Sequence, residues 1–190
     1  MNHAYFGNYK NVSLRPLSVD DIESLRVWRN NKEQTRFLRQ IGDITPEMQL
    51  NWYNSYLDNQ QDIVFGIFET RNLNRLVGSL SIYDIKDDRA EIGKIQIGDP
   101  DAHGKGIGRI SLVIAMKIGF ELIGLKEIYA SVHQENAAAR INDLRIGFKI
   151  VGNHPSCVGG LEDELVIHKN ELYEHNENVD KIEVYKGEKR

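Results

Sequence analysis

Three glycines alternate with other residues in one short stretch of the chain, His103-Gly104-Lys105-Gly106-Ile107-Gly108. Glycine lets the backbone turn tightly and approach a ligand closely, and the free N–H groups at the start of a helix attract negatively charged groups. A strand-like run, 90–98, precedes this stretch, and a long apolar run begins after it near Arg109. The order of strand, glycine loop and helix therefore predicts a phosphate-binding site.

The spacing of these glycines does not fit two common phosphate loops. A dinucleotide-binding loop requires G-x-G-x-x-G, whereas Gly104, Gly106 and Gly108 follow G-x-G-x-G. A P-loop requires Ser or Thr directly after Gly-Lys, but glycine follows Lys105. The stretch resembles instead the Q/R-x-x-G-x-G/A motif of the GNAT acyltransferases, with His103 at the first position. The alternative is a glycine-rich surface turn without a ligand.

A second segment strengthens the resemblance to this family. Asn136-x-x-Ala139 opens a helical pattern that ends at Gly147-Phe148. A strand-like run, 127–132, lies between this segment and the glycine loop. The same order is typical of the second GNAT signature, N-x-x-A/S followed by a Gly-Phe end. Two signatures in the right order are far more specific than either motif alone.

The resemblance covers about residues 12–170 and implies the fold class. The implied fold class is α/β (α+β). It is a GNAT fold, in which the mixed central sheet is splayed at a bulged strand and flanked by helices. In the strand before the glycine loop, Ile92, Ile95 and Ile97 change phase, because strict alternation would keep apolar residues two apart. One extra residue next to Gly93 is typical of a β-bulge. An ordinary glycine-containing strand is the alternative.

The resemblance also implies acetyl-CoA as the cofactor, with its diphosphate on the glycine loop and its pantetheine arm beside the bulged strand. In the family, main-chain amides of this strand pair with the arm and polarise the thioester carbonyl. The implied cofactor-binding residues come from the strand, the loop, the next helix and the second signature: Ile95, Gln96, Ile97, His103, Gly104, Lys105, Gly106, Ile107, Gly108, Arg109 and Asn136.

Acetyl transfer to an amine requires a proton acceptor, because an alkylamine with a pKa near ~10 is protonated at neutral pH. Glu91, on the bulged strand, is the first candidate, since many GNAT relatives place a glutamate there. The alternative is that Glu91 forms an ordinary surface ion pair with Arg89 or contacts a neighbouring strand. Glu91 is therefore a hypothesis for the catalytic base.

The departing thiolate would benefit from a proton donor. Many GNAT enzymes use a tyrosine seven residues after the motif asparagine, but this chain has Asp143 there. An aspartic acid is protonated at neutral pH only if it is buried. The donor therefore stays open between Asp143, Asn142 or a water molecule, a tyrosine such as Tyr83 or Tyr129, and no acid at all.

Aromatic and arginine residues in the first half of the chain indicate an acceptor. The Trp28-Arg29-Asn30 segment and the later Trp52-Tyr53 pair resemble GNAT enzymes that acetylate nucleotide-linked 4-amino sugars. A guanidinium suits phosphate and an aromatic face suits a sugar or nucleobase. The alternative is that the tryptophans are core residues. The predicted substrate-binding residues are Trp28, Arg29, Asn30, Arg36, Trp52 and Tyr83.

Other acceptors and another class of protein stay open. The segment 89–92 and the acidic pair Glu162-Asp163 also resemble polyamine acetyltransferases and enzymes that acetylate protein N-termini. An acidic pocket formed with Glu91 would favour a polyamine, whereas arginines facing the slot would favour a nucleotide sugar. A non-catalytic coenzyme A-binding module is the alternative outside enzymes.

The composition bounds these interpretations. The 190 residues are enough for one domain with a sizeable core, and the net charge of −4 gives no support for nucleic-acid binding. The single Cys157 rules out an internal disulfide, and no Cys/His spacing indicates a metal site. No leader and no membrane-spanning run is visible, which predicts a cytoplasmic protein. The expected partners are a small-molecule amine, no nucleic acid and no membrane, with a homodimer left open.

Alternating strand and helix patterns predict one domain over residues 1–175. Further strands are expected at 11–17, 64–68, 76–83 and 164–168, and a second helix from Thr45-Pro46. Ser18 is expected to cap the first helix, with Asp21 in the capping-box position. Residues 176–190 are charged and poor in large apolar residues, which predicts a C-terminal tail that is unstructured or loosely docked.

Overall fold

The computed structural model describes residues 3–39 and 41–187, which form one mixed sheet and the helices that flank it. The strands are β1 (Tyr5–Tyr9), β2 (Val12–Pro16), β3 (Ile63–Glu69), β4 (Arg75–Lys86), β5 (Arg89–Ile97), β6 (Glu127–His133), β7 (Lys149–Pro155), β8 (Leu161–His168) and β9 (Glu183–Lys186). The α-helices are α1 (Ile22–Asn30), α2 (Pro46–Asp58), α3 (Ile107–Ile118), α4 (Ala137–Ile146) and α5 (Lys169–His175).

The sheet has the strand order β7-β8-β6-β5-β4-β3-β2-β1-β9. The neighbouring strands β5 and β6 run parallel. They pair over three residues only, Arg89 to Glu91 of β5 with Glu127 to Tyr129 of β6. Beyond Glu91 the two strands separate, which leaves main-chain groups of β5 without a strand partner. The predicted α/β fold with a splayed mixed sheet is confirmed.

A β-bulge lies in β5 just before the point where the strand approaches the glycine loop. Ser79 and Ser81 of β4 pair with Gln96 and Gly93 of β5. The two serines are two positions apart, whereas their partners are three positions apart, so β5 contains one extra residue here. Lys94 absorbs the extra residue with a φ of +51°. The bulge predicted from the phase of the isoleucines is therefore confirmed.

Helix α3 is packed against the sheet and supplies much of the core. Nine of its residues are buried, because its sequence is apolar around most of its circumference. Ile114 and Ile118 are fully buried with Ile82 and Ile92 of the sheet. The buried length of α3 fixes where its first turn, and hence the glycine loop, lies relative to β5.

The first helix begins later than the capping-box pattern predicts. Asp21, not Ser18, is the N-cap, and α1 starts at Ile22. The main-chain N–H of Ser18 donates to Asp21 Oδ2 at 2.7 Å, and Arg15 pairs with the same carboxylate at 2.9 Å. These contacts fold residues 18–21 into a turn before the helix, so the Ser18 prediction is wrong by one turn.

The prediction of an unstructured or loosely docked tail is also wrong. Val179 and Ile182 are buried, and β9 pairs antiparallel with β1 at the edge of the sheet. Lys117 Nζ of α3 donates to the carbonyl oxygens of Val179 and Ile182 at 2.9 and 3.0 Å. Few apolar residues suffice here because they meet an existing core. Residues 188–190 lie outside the described residues.

Candidate active site

The glycine loop forms an open cradle at the start of α3. Gly104 and Gly106 both have a φ of +71°, which favours glycine, and nothing lies within 4 Å of where their Cβ atoms would be. Gly106 is the N-cap, and the first N–H groups of α3 point out of the helix. These features fit a diphosphate, because unoccupied N–H donors and a helix N-terminus both favour negative charge.

The residues beside the cradle attach it to its neighbours. His103 Nε2 lies 2.8 Å from the carbonyl oxygen of Ile97, so the loop is tied to the end of β5. Lys105 is exposed. Arg109 Nη2 donates to Asn176 Oδ1 at 3.2 Å, which links α3 to the end of α5.

The splayed part of β5 presents main-chain groups to the gap next to β6. The N–H of Gly98 donates to Val77 of β4 at 3.0 Å, and alternation along the strand then directs the N–H groups of Ile97 and Ile95 away from β4. The side chains of Ile95 and Ile97 reach toward Gly108 of α3. The gap between β5 and β6 is thus lined by donors and apolar side chains, as a pantetheine arm requires.

Gln96 points to the opposite face of the sheet. Its Nε2 donates to the carbonyl oxygen of Trp28 at 2.8 Å and to Gln34 Oε1 at 3.2 Å. Gln34 in turn donates to Gly98 at 3.2 Å. The predicted cofactor contact of Gln96 stays a prediction, whereas its visible role is to hold the segment after α1 against the end of β5.

Glu91 lies beside two tyrosines at the closed end of the splay. It pairs in register with Tyr83 of β4 and Tyr129 of β6, and it lines a cavity of about 260 Å³. Burial and the nearby charge of Glu91 raise the pKa of Tyr83. The ammonium group of Lys94 lies 3.8 Å from the centre of the Tyr83 ring. The base candidate is thus half-buried next to a neutral phenol.

The second signature forms α4 as predicted, with Asn136 as its N-cap. Asn136 Oδ1 accepts from the N–H of Ala139 at 3.3 Å, so its side chain stabilises the helix start. Two turns later, Asp143 is half-buried. Burial raises the pKa of Asp143 from 3.8 to about 7. The condition under which this aspartic acid could donate a proton at neutral pH is therefore met.

The predicted acceptor residues divide into packed and cationic groups. Trp28 packs directly on Gly98, where a Cβ would come within 2.0 Å of the indole. Asn30 donates to and accepts from the main chain of Ile44, at 2.9 Å in both directions, so its amide is occupied. Trp52 stacks on Tyr56 at 5.7 Å and is exposed. Trp28 and Asn30 therefore have structural roles, whereas the predicted substrate contact of Trp52 stays a prediction.

Arg29 is the unusual member of this group. Its guanidinium donates through Nη2 to the carbonyl oxygen of Arg39, while its buried Nη1 has no hydrogen-bond partner among the described residues. Burial lowers the pKa of Arg29, because no carboxylate offsets the cost of desolvating the charge. A buried cation of this kind is stabilised by an anion.

A basic cavity opens beside the segment that follows α1. It has a volume of about 640 Å³ and is lined by Lys32, Arg36 and Arg39 on one side and by Cys157 and Val158, from the β7–β8 turn, on the other. No ion pair neutralises these three cations within the described part of the chain. The cavity is therefore suited to an anionic ligand.

The sequence reasoning missed Lys32 and Arg39. A pattern in the sequence could have indicated them, because basic residues recur every three or four positions at 29, 32, 36 and 39. This spacing places them on one side of a helical or turn-rich segment. The contribution of the β7–β8 turn had no comparable signal. That turn is placed by Ser156, whose hydroxyl donates to Glu162 at 2.6 Å.

The described residues form neither a metal-binding cluster nor a membrane-spanning helix. Among the described residues, no group of three or more His, Cys, Asp or Glu side chains is arranged to hold a metal ion. The helices of residues 3–39 and 41–187 include none that is both long and apolar enough to cross a bilayer.

Comparison with known proteins identifies the family. The family model described as an acetyltransferase (GNAT) domain matches residues 11–149, which is more than two thirds of the chain. The chain therefore belongs to the GNAT acetyltransferase family, and the predictions of an acetyl-CoA-dependent N-acetyltransferase and of acetyl-CoA as its cofactor are confirmed at the level of the family.

Solved structures share the fold. A spermidine N-acetyltransferase from Vibrio cholerae, in complex with CoA and spermine, superposes with a TM-score of 0.78 at 21% identity, over 85% of this chain and 98% of that one. A GCN5-related N-acetyltransferase from Brucella melitensis has a TM-score of 0.76 at 16% identity, over 93% of this chain and 84% of that one. At these identities the likeness establishes the fold and not the acceptor.

An archaeal relative is similar in sequence. The chain is 29% identical over 144 residues to an uncharacterised protein of Methanocaldococcus jannaschii, covering 75% of this chain and 29% of that protein. This chain thus spans less than a third of the length of that relative. A domain structure from the same organism has a TM-score of 0.69 at 26% identity, over 83% of this chain and 97% of that one.

Proposed function

We propose that this protein transfers an acetyl group from acetyl-CoA to the primary amine of a nucleotide-linked amino sugar. The observation that carries the acceptor is the basic cavity, one of whose lining residues, Arg39, accepts a hydrogen bond from Arg29 through its carbonyl oxygen. A planar guanidinium binds phosphate through paired hydrogen bonds, and several cations together suit a diphosphate. Arg29 and Arg36 are the proposed phosphate ligands, and Lys32 and Arg39 join them.

The acceptor segment lies close to the splay, which supports this assignment. Gln34, between the basic residues, contacts both Gln96 and Gly98 at the end of β5. On the far side, the β7–β8 turn is tied through Ser156 to Glu162, whose charge also reaches Tyr83. One ligand with an anionic end and an amine end would therefore meet a basic cavity and a carboxylate-rich slot.

Glu91 and Asp143 supply complementary proton transfers. Acetyl-CoA, when bound, presents the acetyl group as a thioester. The amine nitrogen forms a bond to the acetyl carbonyl carbon, its proton passes to Glu91 directly or through water, and the carbon–sulfur bond breaks. Asp143 in its acid form gives a proton to the departing thiolate, since burial keeps its pKa at about 7. The N–H groups of Ile95 and Ile97 orient the carbonyl oxygen.

A polyamine acceptor is the second candidate. It is favoured by the negative charges of Glu91, Asp84 and Glu162, all of which raise the pKa of Tyr83. Asp163, however, is buried and bound to Arg140 and Gln134, so it offers no charge to a ligand. The V. cholerae spermidine enzyme shares the fold of this chain. A nucleotide sugar uses both charged regions, whereas a polyamine leaves the basic cavity unexplained.

The deciding experiment is an amine panel with acetyl-CoA, which includes a UDP-4-amino sugar, spermidine and a peptide with a free N-terminus. Thiol release should be fastest with the UDP-amino sugar. Arg36→Gln should raise the KM for that substrate roughly tenfold, because the variant loses one charge-assisted hydrogen bond to the substrate. The same change should leave acetyl-CoA binding unchanged. Arg71→Gln, which removes an exposed arginine of the β3–β4 turn, is the control.

Two outcomes of the panel would overturn the proposal. Preferential turnover of spermidine, with no effect of Arg36→Gln, would assign the protein to the polyamine acetyltransferases. Tight acetyl-CoA binding without thiol release on any amine would indicate a non-catalytic coenzyme A-binding module.

A further inference from the structure

A buried histidine contacts the segments that form both walls of the basic cavity. His133, the last residue of β6, is 7% exposed, and the proposed proton transfers do not use it. It pairs in register with Glu162 of β8, and the next main-chain N–H, that of Gln134, donates to the carbonyl oxygen of Leu161 at 2.9 Å. The imidazole is therefore held by the sheet, whereas both walls of the cavity belong to connecting segments.

The β7–β8 wall is bound to the imidazole through a hydrogen bond. The main-chain N–H of Glu135 donates to Nδ1 of His133 at 3.2 Å, so Nδ1 acts as an acceptor. Nε2 then carries the proton and donates to the carbonyl oxygen of Gly159 at 2.7 Å. The turn lies so close that a Cβ on Gly160 would come within 3.1 Å of Nε2. Cys157, two residues before Gly159, lines the cavity.

The opposite wall reaches the same imidazole through an aromatic side chain. The ring centroids of Phe37 and His133 are 5.0 Å apart, and the rings are tilted by 30°. Cζ of Arg36, which lines the cavity, lies 4.5 Å from the centre of the Phe37 ring. The position of one phosphate-binding candidate thus depends on a ring that packs on His133.

We propose that His133 is a positioning residue for the anionic end of the acceptor. It joins the segment after α1 to the β7–β8 turn and so sets the width of the cavity between them. A binding group supported by a rigid neighbour holds its geometry, whereas the same group on an unsupported segment does not. His133 therefore controls acceptor affinity without touching the acceptor.

This inference rests on the proposed binding of a nucleotide diphosphate in the basic cavity. Cys157 allows a direct measurement of that binding, because it is the single cysteine of the chain, is exposed and lines the cavity. UDP in the cavity should slow the alkylation of Cys157 by iodoacetamide. The UDP concentration that halves the alkylation rate then reports its affinity for the full chain.

Replacement of His133 should weaken this protection. His133→Leu should raise the half-protecting UDP concentration roughly five- to tenfold, because the hydrogen bond to Gly159 and the ring contact with Phe37 are lost. His133→Gln should recover most of the affinity, since its amide can donate to the Gly159 carbonyl oxygen.

Steady-state kinetics separates positioning from a general loss of structure. His133→Leu should raise the KM for a UDP-amino sugar by a similar factor, while kcat and the affinity for acetyl-CoA stay unchanged. His154→Leu is the matched control. His154 of β7 lies near Ser131 and the Pro155 carbonyl oxygen and is not among the described residues that line the cavity. It should leave the protection by UDP unchanged.

The outcomes distinguish this inference from the proposed function. Equal protection by UDP in the wild type and in His133→Leu overturns the inference and leaves the nucleotide site standing. A loss of acetyl-CoA affinity in His133→Leu as large as the loss of UDP affinity also overturns it, because the residue would then support the whole fold. Absence of protection by UDP in the wild type overturns the nucleotide site itself, and the inference with it.

Discussion

At the scale of single residues, the two carboxyl groups proposed to transfer protons differ in their surroundings. Asp143 is held half-buried on α4, and that burial raises its pKa to about 7. Glu91 stands on β5 at a cavity that also contains Tyr129 and Glu164. Burial that keeps a carboxyl group protonated near neutral pH is typical of a general acid, which is the role proposed for Asp143.

The raised pKa of Asp143 predicts a pH-dependent contribution to stability. The folded chain binds the Asp143 proton more tightly than the unfolded chain, so this contribution is present at low pH and is lost as the pH rises toward about 7. From about pH 4 to pH 7, the free energy of unfolding of the wild type should therefore fall relative to that of Asp143→Asn. Urea denaturation at a series of pH values measures the difference, and a constant difference would contradict the assignment.

Replacement of Glu91 tests the base. Glu91→Gln should lower kcat by about 10²–10⁴, because the variant cannot accept the amine proton, and should leave acetyl-CoA affinity unchanged. Steady-state kinetics over a pH series gives the measurement. Glu164→Gln, which alters a carboxylate of the same cavity, should retain activity. If the pH–rate profile of Glu91→Gln matches that of the wild type, Glu91 is not the base.

At the scale of elements, the junction between β5 and α3 sets the geometry of the donor site. The bulge at Lys94 rotates the rest of β5, so that Ile95 and Ile97 face the start of α3. The bond between His103 and the Ile97 carbonyl then holds the loop at the mouth of the splay. In the proposed complex, one continuous piece of backbone would position both the diphosphate and the thioester carbonyl.

This junction predicts that charge at Gly106 weakens donor binding. Gly106→Glu should reduce acetyl-CoA affinity at least tenfold, since the carboxylate would occupy the anion cradle and repel the diphosphate. Gly124→Glu is the control, because Gly124 has a similar φ of +87°, also has open space around it, and lies beyond the other end of α3. Calorimetry with acetyl-CoA measures both variants. Equal losses in the two would indicate backbone strain instead of repulsion.

At the scale of the whole molecule, the charges are separated although the net charge is only −4. Cations gather at the cavity of Lys32, Arg36 and Arg39, and carboxylates gather around Tyr83. The C-terminal segment, residues 176–187, packs on α3 and adds β9 to the sheet, so it completes the core.

The sequence by itself determined the features that obey local rules. The alternating glycines, the shift in isoleucine phase and the asparagine cap of α4 each depend on neighbouring residues, and each was found where its pattern predicted it. The predicted start of α1 was wrong for a related reason. Arg15 and Ser18 both bind the Asp21 carboxylate, and these contacts fold the residues before the helix into a turn.

Only the tertiary structure decided the properties that depend on distant residues. The pKa of Asp143 follows from how deeply the packing of α4 buries it. The basic cavity needs the β7–β8 turn opposite the segment after α1, and the docking of the C-terminal segment needs Lys117 and a completed core. Burial and charge are summed over everything that surrounds a group in space, and spacing along the chain carries no record of that sum.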